Sequence, residues 1–210
     1  MIRKNLLLCK IFRIKISSKS LFDSYMDKFQ PCLETCPICG STGNCHIHDY
    51  YDRSLIDFRF GAPEIYSLCV MRVFCDSCEH AHAVLPDVII PYSVYSLLFV
   101  LRLLGQYFAG RFTVEQLCER YGISQNQFYK WLALWKSHKQ DWLGLLDNYA
   151  VSDLSFLKGI LLADSFSDFS MRFVRCFTYS FLQSHKNPVP AGLKNARYHQ
   201  LVFAPDISIF

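Results

Sequence analysis

Cys36-Pro37-Ile38-Cys39-Gly40 and Cys75-Asp76-Ser77-Cys78 are two Cys-x-x-Cys pairs with positions 40–74 between them. A Cys-x-x-Cys turn points both sulfurs inward and frees backbone N–H groups to bond them. Two such turns brought together give the closed four-sulfur shell that zinc accepts in structural sites. The intervening sequence is suited to joining them. Leu55-Ile56-Asp57-Phe58-Arg59-Phe60 and Tyr66-Ser67-Leu68-Cys69-Val70-Met71-Arg72-Val73-Phe74 are rich in β-branched and aromatic residues, with Gly61-Ala62-Pro63 between them as a turn signal. The expectation is a β-hairpin carrying the two knuckles, a zinc ribbon with Cys36, Cys39, Cys75 and Cys78 as ligands. Redox-active thiols are the other reading of paired cysteines, but a redox motif needs only one pair and usually opens a helix, whereas Pro37, Gly40 and Gly43 make a loop here. Cys32, Cys45, His46, His48, Cys69, His80 and His82 lie in or beside the window, and any of the histidines can replace a sulfur. His80 and His82 follow the second knuckle closely enough for either to hydrogen-bond a ligating sulfur.

Outward from this segment, composition limits the classes of protein to consider. The chain has 210 residues, 51% of them hydrophobic, enough for one or two small cored domains. Leu6-Leu7-Leu8-Cys9 is broken at once by Lys10, Arg13 and Lys15, too short for a signal-peptide core. The ten cysteines are therefore expected in a reducing, cytoplasmic setting, where they argue for metal and against disulfides. The apolar run from Val94 to Phe108 contains Arg102 and Gln106 and falls short of a membrane span, so it reads as a buried helix. Charge is uneven: residues 1–30 hold seven Lys/Arg against Asp23 and Asp27, while the whole chain is only +4. This basic arm can follow a phosphate backbone or serve as a solvated lead-in.

Beyond residues 82–91, which read as an extended connector confined by Pro86 and Pro91, the periodicity turns helical. Val94, Leu97, Leu98, Leu101, Leu104 and Phe108 fall on one face, and Gly110 ends the element. Thr113 with Gln116, and Ser124 with Gln127, are capping-box starts eleven residues apart, with Gly122 between them to turn at positive φ. Leu117, Cys118, Tyr121, Ile123, Phe128 and Trp131 then occupy the positions where a helix-turn-helix buries its inner face. That periodicity sends Ser124, Gln125, Asn126, Tyr129 and Lys130 outward. Gln and Asn can bond adenine edges bidentately in the major groove, and Ser, Tyr and Lys can hold phosphates. Two short capped helices also occur as plain parts of a helical core. Asp141-Trp142-Leu143-Gly144 is expected to break the pattern, and a new helical region begins near Asp153, in which Phe166, Phe169, Phe173, Phe177 and Phe181 form one stripe along a helix of four or five turns. Such a stripe is usually core, although part of it can pair with a second copy as a homodimer. Residues 186–192 stop that helix, and Leu201-Val202-Phe203 reads as a last strand or anchor.

The ribbon, the phrase Arg72-Val73-Phe74-Cys75-Asp76-Ser77-Cys78, the following His-x-His and Leu85-Pro86-Asp87, and then the helix-turn-helix resemble the N-terminal DNA-binding region of bacterial insertion-sequence transposases. They are most similar to stand-alone, transposase-related zinc-ribbon proteins of bacteria, over roughly residues 33–140. The resemblance implies that Cys36, Cys39, Cys75 and Cys78 bind the metal and that the helix after Gly122 reads the DNA end of a mobile element. Such transposases also carry an acidic triad on a ribonuclease-H-like domain. Asp147, Asp153, Asp164, Asp168 and Asp206 are present, but no strand run carries the first two, and Gly-rich phosphate loops and nucleophile elbows are absent from the sequence.

The expected architecture is therefore α+β: a basic arm (1–30), a small β-hairpin zinc ribbon (31–90), an all-α helix-turn-helix region (91–140) and C-terminal helices with a loop-like tail (141–210). The expected function is that of a zinc-containing protein, related to transposase N-terminal regions, that binds double-stranded DNA without catalysis, with no membrane and no small-molecule substrate as partner. The alternatives are a protein-interaction module assembling with a separate catalytic subunit, or a truncated fragment of a catalytic transposase.

Overall fold

The computed structural model describes residues 2–4, 18–145, 150–162 and 166–184. They form a mixed α+β fold, an antiparallel sheet followed by helices. β2 (Cys45–Arg59) and β3 (Ala62–Cys75) make a long hairpin, and β4 (His80–Pro86) pairs antiparallel with β3. A short strand, β1 (Ile2–Lys4), adds in parallel at the β4 edge, giving the order β1-β4-β3-β2.

The hairpin differs from its sequence reading in two ways. Its turn is Phe60-Gly61, one residue earlier than expected, with φ of +49° and +88°. Two central residues at positive φ give the backbone twist that matches paired strands. Ala62 and Pro63 are thus the first residues of β3, where Pro63 loses no interior ladder bond. The stretch after the second knuckle, expected as a connector, is the strand β4: Cys75–Glu79 folds back so that His80 pairs with Cys75 and Ala83 with Arg72.

Part of the N-terminal arm is folded. Residues 18–26 form α1 (Ser18–Met26), whose Phe22 is buried in the main core. Tyr25, Met26 and Phe29 pack on Met71, Val73 and Val84 of the sheet. The buried carboxylate of Asp57 fixes this arrangement. It accepts from the backbone N–H of Ser18 at 2.6 Å and from the Ser96 hydroxyl at 2.9 Å, and Ser96 in turn caps the next helix by accepting from Phe99 N–H.

That helix, α2 (Leu97–Phe108), starts later than the periodicity implied. Residues 94–96 lie along β2 instead, with Ile56 N–H bonded to Val94 O at 2.6 Å and Ser96 N–H to Ile56 O at 3.0 Å, which leaves Val94 exposed. Leu97, Phe99, Val100, Leu101, Leu103 and Leu104 are all buried, so α2 is apolar on most of its circumference and lies inside the fold. A Cβ at Gly105 would stand 3.2 Å from Leu157, because α5 (Asp153–Leu162) packs close at that point.

α3 (Val114–Tyr121) and α4 (Gln125–Gly144) follow. α4 continues through Asp141 and Trp142, where the sequence suggested a break, because Trp142 and Leu143 are buried against the C-terminal helices. The phenylalanine stripe is likewise not one helix. α6 (Phe166–Phe177) ends where Thr178 takes φ +65°, and Phe181 returns from the segment beyond it. Phe169, Phe173 and Phe181 nevertheless converge, with Phe169 5.1 Å and Phe173 5.3 Å from Phe181, and Trp142 4.9 Å from Phe169. All three are buried within the chain. The expected stop at 186–192 and the apolar Leu201-Val202-Phe203 lie outside the described residues. Among the described residues, no helix is long and apolar enough to cross a membrane.

Candidate functional site

The first candidate centre lies at the end of the sheet away from the Phe60 turn. Cys45 and Cys75 are paired residues at that end of β2 and β3. Pairing places the second knuckle, Cys75–Cys78, directly beside the loop that carries the first. Backbone bonds close both loops: Gly40 N–H to Cys36 O at 3.0 Å and Glu79 N–H to Cys75 O at 2.9 Å. Both knuckles then need a residue in the left-handed region, supplied by Gly40 at φ +72° in one and by Glu79 at φ +56° in the other. Asn44 ties the loops together, donating to Ser41 Oγ at 2.5 Å and to Ser77 Oγ at 2.9 Å, while Asp76 N–H donates to Asn44 O at 3.0 Å.

The sulfurs of Cys36, Cys39, Cys75 and Cys78 all lie within 4.8 Å of one another, a group able to hold a metal ion. Cys36 Sγ is 3.6 Å from Cys78 Sγ, and Cys39 Sγ is 3.7 Å from Cys75 Sγ. Burial raises the Cys75 thiol pKa, but hydrogen bonds to its sulfur from the N–H groups of Cys78 and Ser77 and from the thiols of Cys39 and Cys36 together outweigh burial and bring it to about 6. Burial and the sulfur of Cys36 push Cys78 up to about 12. Cys75 and Cys78 thus sit in unequal fields, with the thiolate favoured at Cys75 and the thiol at Cys78.

Of the neighbouring histidines, His82 among the described residues reaches a ligand sulfur through a hydrogen bond. It is buried, its Nε2 lies 3.3 Å from Cys36 Sγ, and burial lowers its pKa to about 4, keeping the imidazole neutral. His80 turns to the carbonyl of Cys78. His46 faces Asp76 at 3.3 Å, and His48 lies against Phe74. Cys32 and Cys69 are exposed. Cys45 is buried beside the cluster, its thiol pushed up to about 11 by burial and by the charge of Cys75. No sequence signal singled out Cys45, because its place depends on strand register.

The second candidate is the outer face of α4. Thr113 and Gln116 form the expected reciprocal cap, and Gly122 turns the chain at φ +64°. Ser124 caps α4 by accepting from Gln127 N–H at 3.2 Å. Leu117, Cys118, Tyr121, Ile123, Phe128 and Trp131 are all buried. Ser124, Gln125, Asn126, Tyr129 and Lys130 are all exposed. Among the described residues, the side chains of Gln125, Asn126, Tyr129 and Lys130 make no hydrogen bond or ion pair. Of the aspartates considered for an acidic triad, Asp153 is engaged: it accepts from Trp135 Nε1 at 3.0 Å and Lys139 Nζ at 2.8 Å. Asp147, Asp164 and Asp206 lie outside the described residues.

A family model described as a domain of unknown function, DUF6431, matches residues 36–120. The match opens on the first knuckle and runs through the sheet and α2 into α3, stopping short of α4. No curated protein and no solved structure matches the chain.

Proposed function

We propose that this is a zinc-containing protein that binds double-stranded DNA, with the four-cysteine centre as a structural ion site and the first turns of α4 entering the major groove. The observation that carries the reading is the uncommitted, exposed set Gln125, Asn126, Tyr129 and Lys130 on a helix whose opposite side is fully buried. Residues 111–140 also carry five basic side chains against Glu115 and Glu119, which favours a polyanion. Zinc is the metal the donor set favours. A tetrahedral thiolate shell with bonds near 2.3 Å has sulfur–sulfur edges of about 3.8 Å, close to the two separations given above. Bound there, zinc would fix the four thiolates and clamp the two knuckles together, while Asn44 and His82 orient the loop and one sulfur. The resemblance to transposase N-terminal regions supports a non-catalytic role beside a mobile element.

The test is DNA selection from a random pool with purified protein, followed by titration of the selected duplex. Binding with a steep salt dependence is expected, and changing Gln125, Asn126 and Lys130 together to Ala should abolish selection of that sequence. Failure of the wild type to bind any duplex at low salt would sink the reading.

A further inference from the structure

We infer that Arg102 and Arg120, with Arg59 at their edge, form a second contact that grips the DNA phosphate backbone beside α4. This proposal rests on the DNA-binding reading above. The three arginines come from three separate segments and meet around one aromatic pair. Phe58, near the tip of the β2–β3 hairpin, stacks on Phe99 with ring centroids 4.6 Å apart and meets Tyr121, the last residue of α3, edge-on at 5.3 Å. Arg102 on α2 places its Cζ 4.5 Å from the centroid of the Phe58 ring. Arg120 on α3 places its Cζ 5.6 Å from the ring of Tyr121 and 5.3 Å from that of Phe112. Arg59 follows Phe58 directly.

All three are exposed. Arg59 is held by Glu64 at 3.0 Å, so it contributes least. Among the described residues, Arg102 and Arg120 have no carboxylate partner. Aromatic faces position these guanidinium groups in place of counter-charges, which leaves their N–H donors available to an anion. A phosphodiester suits them, since its oxygens accept the paired donors of arginine. The placement suits duplex DNA in particular. From Tyr121 to the Ser124 cap the chain spans at most about 11 Å, against a major-groove width of about 12 Å. With the start of α4 in the groove, the patch therefore lies at the scale of the groove rim, where the strand's phosphates run.

The experiment compares wild type, Arg102→Ala/Arg120→Ala and Arg102→Lys/Arg120→Lys on a short random duplex and on the selected one, from about 50 to 200 mM salt. The Ala pair should weaken both duplexes alike, by several-fold per arginine, and lower the log–log salt slope by about one per arginine. Sequence preference should stay unchanged, and the Lys pair should retain most of the slope. A folded Ala pair with wild-type slope overturns this contact and leaves the α4 reading standing. A Lys pair as weak as the Ala pair also overturns it, assigning the effect to packing on Phe58 and Tyr121. If the wild type binds polyglutamate and no duplex, both readings fall, in favour of an acidic protein partner.

Discussion

At one end of the β2–β3 hairpin, Cys36, Cys45, Cys75 and Cys78 meet in a cluster with no aliphatic or aromatic members, whereas the other end runs into a core that includes Phe99, Phe128, Trp135 and Phe156. The aromatic end is closed mainly by packed side chains. Trp135 is fully buried, with Phe108, Phe156 and Phe181 at ring distances of 5.2, 5.4 and 5.7 Å. The sulfur end is held by loop hydrogen bonds among Ser41, Asn44 and Ser77, of which Asn44 and Ser77 are exposed to water and Ser41 is half-buried. Exposed bonds of this kind contribute little net stability. Four thiols packed together repel as they ionise, and a cation bound among them would offset that repulsion. The difference teaches that the two ends of one sheet are closed by unrelated means, packed rings at one and a sulfur cluster able to hold an ion at the other.

Removing the metal should have the largest effect. Structural zinc sites contribute on the order of 10 kcal/mol in isolated fingers. Chelation, or Cys36→Ser with Cys75→Ser, should abolish the bound ion seen by native mass spectrometry. It should also deprotect the amides of the knuckles in hydrogen exchange while those of α2 and α4 stay protected. Loss of protection in α2 and α4 as well would break the contrast between the two ends. Next comes the aromatic core itself: Trp135→Ala should cost roughly 3–5 kcal/mol in denaturant unfolding without altering metal stoichiometry. The smallest change sharpens the comparison within the sulfur end. Glu79 occupies the left-handed position that Gly40 fills in the other knuckle, so Glu79→Gly should stabilise the metal-loaded protein by up to about 1 kcal/mol. A lower melting temperature in that variant would contradict this account of the turn.

Much of the local detail was legible in the residues. The knuckle pairs, the capping residues Thr113 and Ser124, the Gly122 turn and the six buried positions around it all follow from short-range rules of spacing and φ. Where the reading failed, a longer-range contact had outweighed the local signal. α4 extends past Asp141 because Trp142 finds Phe169, and the phenylalanine stripe is split because Thr178 turns the chain so that Phe181 can return beside Trp135. α1 folds onto the sheet because Asp57, distant in sequence, accepts its first described N–H.

Spacing and residue chemistry were enough to name the four sulfurs and the outward side of α4, because a Cys-x-x-Cys loop and a 3.6-residue period are properties of short segments. Chain packing had to supply the rest. Register across β2, β3 and β4 set Cys45 against Cys75 and brought His82 to Cys36, and the meeting of Phe58 with Tyr121 gathered the arginines. Such pairings depend on residues far apart along the chain, whose encounters are settled by which apolar surfaces close the core.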